Sequence, residues 1–200
     1  MKRLFFLLAM AAVLTTACKG PSSFTVRGDL DSAGLLSPAD SVMIEYDQLQ
    51  APLTAPVVDN AFTVTGKVEG AEFSKISALG GPRRSTKAFI AEKGTITFQD
   101  GFACGTPLND STRAFSLRLK ALVDRYDGEK LREAAEQECT SFITRHKNDP
   151  CAVYGLMIAS RNMKPEAVLQ LIESTSPAIR NNGDVRSISR RLNQRLPHEE

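Results

Sequence analysis

Four cysteines, two histidines and three Asp-Ser pairs are the positions of this chain where side-chain chemistry is most legible. Cys18 has the clearest setting. Lys2 and Arg3 precede an apolar run from Leu4 to Leu14, and Thr15-Thr16-Ala17 place small residues before the sulfur. A basic start, an apolar stretch too short to span a bilayer and small residues before a cut mark a secretory signal. A Cys directly after them makes it a lipoprotein signal. Leu14-Thr15-Thr16-Ala17-Cys18 resembles a bacterial lipobox, cut before the Cys, whose thiol then carries a diacylglyceryl group.

The other chemical residues give weaker signals. With Cys18 lipidated, Cys104, Cys139 and Cys151 remain, an odd number for an exported chain, so at least one thiol stays free or pairs between molecules. Cys139 and Cys151 fall on apolar helical stripes and read as buried thiols. No C-x-x-C pair is present. His146 and His198 have no partner at metal-ligand spacing, and no metal, cofactor or catalytic constellation is expected. Asp31-Ser32, Asp40-Ser41 and Asp110-Ser111 match a short acceptor pattern for protein O-glycosylation, which makes Ser32, Ser41 and Ser111 candidate sites. Arg186, Arg190, Arg191 and Arg195 make the C-terminal segment locally basic, a candidate contact surface for anionic headgroups or an acidic partner.

Removal of residues 1–17 from the 200 leaves 183 and takes Lys2 and Arg3, so 23 basic face 23 acidic side chains. A neutral balance argues against electrostatic capture of nucleic acid, and none is expected as a partner. Residues 18–23 read as a lipidated tether with Gly20, Pro21 and two serines. From residue 24 to 104 the pattern is β. Phe24 to Gly28 and Phe62 to Val68 alternate, Val42 to Tyr46 is a short apolar run, and Phe73–Leu79, Lys87–Ala91 and Thr95–Phe98 follow. Asp59-Asn60, Gly80-Gly81-Pro82 and Glu92-Lys93-Gly94 supply turn chemistry. The period changes at Gly105. Thr106-Pro107 reads as an N-cap and first helical residue, and Leu108, Phe115, Leu119, Leu122 and Tyr126 share a stripe. Further stripes follow over residues 129–147, after Asp149-Pro150, after Pro165 and after Asp184. The expected fold is α+β: an antiparallel β-sandwich or open barrel over residues 24–104, then a bundle of about five short helices over residues 105–200.

At the junction, Phe89-Ile90-Ala91-Glu92-Lys93-Gly94-Thr95-Ile96-Thr97-Phe98 is followed by Gly105-Thr106-Pro107-Leu108-Asn109-Asp110. This resembles the domain of unknown function 4369, an N-terminal β module of exported lipoproteins. There the first motif is a last hairpin and the second begins the helical part. Phe24-Thr25-Val26-Arg27-Gly28 and Asp59 to Gly66 fit the same pattern. In many members the module precedes a thioredoxin-like thiol:disulfide oxidoreductase domain. This chain ends about where such a domain would start and has no Trp and no C-x-x-C, so no redox site carries over.

The combined expectation is a non-enzymatic, lipid-anchored envelope protein at the periplasmic face of the outer membrane. It would act as a binding or scaffolding module accessory to thioredoxin-fold lipoproteins, with an envelope protein as partner. The alternative is a small-molecule or glycan-binding lipoprotein that uses a groove between sheet and helices.

Overall fold

Residues 61–68 show how the β half is built. Phe62, Val64, Gly66 and Val68 are buried and the residues between them are exposed, the period-2 signature of a strand with one wet face. The computed structural model describes residues 22–36, 38–47, 51–81 and 83–196. Cys18 and His198 lie outside these.

Among the described residues the strands are β1 (Ser22–Asp29), β2 (Ser41–Tyr46), β3 (Leu53–Pro56), β4 (Ala61–Val68), β5 (Ala71–Leu79), β6 (Ser85–Glu92), β7 (Gly94–Gln99) and β8 (Phe102–Cys104). They form two four-stranded sheets, ordered β4-β1-β7-β8 and β3-β2-β5-β6. β1 begins inside the expected tether, with Ser22 and Ser23 paired to Val68 and Lys67. Phe24 and Val26 from one sheet and Val42, Ile44, Ile76 and Phe89 from the other share one core, as the inner faces of a sandwich should. The pairing is antiparallel except between β1 and β7. β6 and β7 are not a hairpin. They belong to different sheets, and the chain crosses between sheets at Lys93, where Gly94 takes φ 130°. That crossing brings β7 alongside β1 in the same direction.

Three elements were not legible in the sequence. β3 has four residues and carries Pro56, tolerable on a sheet edge where one N–H is not needed. β8 has three residues. The short helix α1 (Leu30–Ala33) is held by its cap: Asp29 accepts the Ser32 N–H at 2.7 Å and the Ser32 hydroxyl at 2.8 Å.

Six helices follow the strands: α2 (Pro107–Arg125), α3 (Gly128–Arg145), α4 (Cys151–Asn162), α5 (Pro165–Ser174), α6 (Pro177–Arg180) and α7 (Gly183–Asn193). One more appears than expected because Ser176-Pro177 opens a full turn, in which the Ser176 hydroxyl accepts the Ile179 N–H. The helices do not form a separate body. Phe73 and Ile90, on the outer face of the second sheet, enter one core with Phe115, Phe142, Ile143, Leu156 and Val185. β5 and β6 are therefore covered on both faces, which is why burial runs through successive residues of β5 and the second half of β6 rather than alternating. The layers run sheet, sheet, helices.

The residues of the junction motif are the joint between the second and third layers. Thr106 does not cap α2 through its side chain. Glu92 of β6 does so from across the joint, accepting the Leu108 N–H at 2.8 Å and the Asn109 N–H at 3.2 Å. Asn109 is fully buried and brackets the free edge of β6. Its Oδ1 accepts the Ile90 N–H at 2.8 Å, and its Nδ2 donates to the Ile90 carbonyl at 2.7 Å and to Thr106 Oγ1 at 2.8 Å. Gly105 takes φ 92°, and a Cβ there would stand 2.9 Å from the Thr95 carbonyl. Its N–H is accepted by Asp110.

Candidate functional site

The joint opens a groove. β5 and β6 form its floor, β8 and α2 one wall, and α4 the other. The cavity encloses about 530 Å³, within the range of small-molecule sites, roughly 300–1,000 Å³. Thr86, Ala88, Phe102, Met157, Ile158 and Tyr154 line its uncharged surface. Four cations, Lys75, Lys87, Arg113 and Arg161, also line it, and among the described residues no carboxylate does.

Each cation comes from a different element, so the cluster exists only in the fold. Lys75 points off β5 toward the helices and pairs with Asp184 at the start of α7. Lys87 and Arg161 have no ion-pair partner among the described residues. Arg113, on the second turn of α2, donates from Nη2 to Gln99 Oε1 at 2.8 Å. Its Nε is buried and has no hydrogen-bond partner among the described residues. A buried, unsatisfied guanidinium N–H costs about 1–3 kcal/mol or more. Guanidinium groups carry five donors in a fixed fork suited to carboxylate or phosphate. Tyr154 is fixed on the wall by its hydroxyl, 2.9 Å from Ser116 Oγ.

A second cluster lies where α2 meets the α3–α4 turn. Asp149 Oδ2 is 2.9 Å from His146 Nδ1, and Ser111 Oγ is 3.1 Å from His146 Nε2. An ionised carboxylate only accepts, so Nδ1–H donates to Asp149, and in a neutral ring Nε2 then accepts from the serine. Asp149 Oδ1 also accepts the Cys151 N–H at 3.0 Å, which caps α4, and Cys151 Sγ donates to the Leu108 carbonyl at 3.5 Å. The order Ser, His, Asp is that of a nucleophile relay. The N-terminal N–H groups of α2 nearest to it are committed elsewhere: Leu108 and Asn109 donate to Glu92, and Asp110 donates to the Thr106 carbonyl. These three donors are thus engaged, and the hydrogen bonds through His146 join α2 to the turn. The ring of His146 also lies 4.6 Å from that of Phe142, which stacks on Phe115 at 4.0 Å.

The candidate residues read from sequence fall in separate places. Ser32 sits in α1 on its Asp29 cap, Ser41 opens β2 opposite Pro56 and Leu79, and Ser111 faces His146; all three are half-buried. Arg186, Arg190, Arg191 and Arg195 are exposed on or just beyond α7, with Arg191 reaching Ser160 Oγ at 3.4 Å. They do not join the groove. Asp184 does not cap α7; Asn182 accepts the N–H groups of Asp184 and Val185, which leaves the Asp184 carboxylate for Lys75. Cys139 and Cys151 are buried and free, and Cys104 is free and half-buried. Burial pushes the Cys139 thiol up to about 11, aided by Glu138 and Glu136, and pushes Cys151 further up with Asp149 beside it.

The groove cations were not legible as a group, since Lys75, Lys87, Arg113 and Arg161 have no common spacing. The turn cluster did leave a trace, His146-x-x-Asp149-x-Cys151, which a search confined to His-to-His spacing passes over. No helix among the described residues is long and apolar enough to cross a membrane. Comparison of the chain with protein-family models, with curated proteins and with solved structures finds no match.

Proposed function

We propose that this chain is an exported, lipid-anchored protein that binds a small anionic molecule in the groove between its second sheet and helices α2 and α4. One observation carries the reading: a cavity of about 530 Å³ that, among the described residues, is lined by four cations and no carboxylate and leaves the buried Arg113 Nε without a partner. The buried Arg113 Nε–H is the group an anion would complete, since a buried donor without a partner is unfavourable. An anionic ligand would meet Arg113, Arg161 and Lys87, and its uncharged body would rest on Phe102, Met157 and Tyr154. Export and the anchor rest on the signal segment and Cys18.

The test is a thermal-shift and calorimetry screen of phosphorylated, sulfated and carboxylated small molecules against the full chain in detergent. A ligand at 100 times its Kd stabilises the fold by about 2.7 kcal/mol. Arg161→Glu and Lys87→Glu are expected to abolish that shift while leaving the unliganded melting temperature within a few degrees. Shifts that survive both substitutions, or no shift with any anion, would overturn the reading. Retention of Cys18→Ala protein in the membrane fraction would overturn the anchor.

A second reading keeps the chain as a docking module for an envelope protein, as its likeness to the accessory module of thioredoxin-fold lipoproteins suggests. Exposed Arg186, Arg190 and Arg195, with no ion-pair partner among the described residues, favour it. Crosslinking in the native envelope with Arg186→Glu/Arg190→Glu as control distinguishes a specific partner from abundant neighbours.

A further inference from the structure

We propose that His146, Asp149 and Cys151 bind a divalent transition-metal cation of the zinc class. One imidazole nitrogen, one carboxylate oxygen and one sulfur, each from a different residue, lie within 4.8 Å of one another. This is the group of three such donors that the described residues bring together. Nitrogen, sulfur and carboxylate oxygen are the donors zinc takes, at about 2.0–2.3 Å, and three protein ligands plus one open position is a recurring arrangement. Those bond lengths around a tetrahedral ion set donor separations near 3.3–3.8 Å. His146 Nδ1 and Asp149 Oδ2, now 2.9 Å apart, need only open by a few tenths of an ångström. The sulfur lies within 4.8 Å of its imidazole and carboxylate partners and closes on the ion by rotation about χ1, releasing the Leu108 carbonyl.

The surroundings supply what such a site needs. Asp149 is anchored by the Cys151 N–H, and His146 is held against Phe142, so the turn is stiff before any ion arrives. Ser111 provides the partner that orients the imidazole from its far nitrogen, as is usual for metal-bound histidine. When the cation takes Nδ1, the ring proton moves to Nε2 and donates to Ser111 Oγ, whose hydroxyl turns to accept. The thiol loses its proton on forming the metal–sulfur bond, so one proton leaves per cation bound. The charges of thiolate, carboxylate and dication then cancel. Asp149, with its side chain 35% exposed, is the solvent side of the cluster and the open ligand position belongs there.

The test is a cobalt(II) titration of the full chain in detergent, followed by absorption spectroscopy. One equivalent is expected to give a thiolate-to-cobalt charge-transfer band that zinc displaces. Cys104→Ala should keep the band and Cys151→Ala should lose it. His146→Ala and Asp149→Ala should weaken binding at least tenfold, and Ser111→Ala by about tenfold. No band in the wild-type chain, a band retained in Cys151→Ala, or a band lost in Cys104→Ala sinks the proposal. Should Cys151→Ala fail to fold, zinc-edge X-ray absorption of the Cys104→Ala protein decides: one sulfur neighbour supports the site, and oxygen and nitrogen alone reject it.

Discussion

Asn109→Ala tests whether the junction motif is structural. The side chain is fully buried and makes three hydrogen bonds of 2.7–2.8 Å, two to the Ile90 backbone and one to Thr106. Ile90 is itself fully buried on the free edge of β6, so water does not replace what the alanine removes. Stranding its N–H and C=O costs about 1–2 kcal/mol each, and loss of the Thr106 bond adds up to about 1 kcal/mol. The total, about 2–5 kcal/mol, is a large part of the roughly 5–15 kcal/mol that holds a domain folded. For a chain of this size it lowers Tm by roughly 10 °C. Urea unfolding followed by circular dichroism reads it as a lower midpoint at constant slope. Asn109→Asp should do no better: it keeps an acceptor for Ile90 N–H but loses both donors and sets a carboxylate against Glu92, whose Oε1 is 3.4 Å from Nδ2. Asn162→Ala, on an exposed helix end, is the control and should stay within about 0.5 kcal/mol. A loss below about 1 kcal/mol for Asn109→Ala would refute the argument that this amide closes the sheet edge.

Four further outcomes are expected. Gly155→Ala puts a Cβ 2.8 Å from Ile143 Cγ1 and 3.0 Å from Phe142 Cδ1, so α4 must shift off α3. Such overpacking costs about 1–3 kcal/mol and is read as a lower Tm. In the folded protein an aromatic disulfide reagent should titrate Cys104 quickly and reach Cys139 and Cys151 only on unfolding; rapid reaction of all three contradicts their burial. The raised Cys139 value has a sign: above the ordinary 9.0 the unfolded chain releases a proton that the folded one keeps up to about 11, so stability falls with pH across that window. Cys139→Ala should flatten the alkaline limb of a urea-midpoint titration. At the acid end, the Ser32 N–H and hydroxyl hold Asp29 below its ordinary carboxylate range, so its contribution is full above that range and is lost as pH falls through the folded value. Asp29→Ala removes the α1 cap at a cost of about 1 kcal/mol, and its acid unfolding should be correspondingly less pH-dependent.

Local chemistry is what the sequence by itself determined. A strand with one wet face writes its period into consecutive residues, and six strands were legible from alternation, β-branching and the turns between them. Helix starts at Pro107 and Pro165 follow from proline's fixed φ and missing donor, whereas Ser176-Pro177 reads only as a short turn. The α+β order followed from the change of period at Gly105. Tertiary structure decided everything that depends on which surfaces meet. It placed β6 and β7 in different sheets, because the turn signal Glu92-Lys93-Gly94 does not say whether the next strand pairs or crosses. It replaced the expected Thr106 cap with Glu92, because an orphan helix N–H donates to any oxygen the fold supplies. It gathered Lys75, Lys87, Arg113 and Arg161 from four elements into one groove. It also turned His146, with no histidine near it in the chain, into the centre of a four-residue cluster by docking α2 against the α3–α4 turn. Charge clusters and donor sets of this kind depend on distances in space, and those are fixed by packing rather than by spacing along the chain.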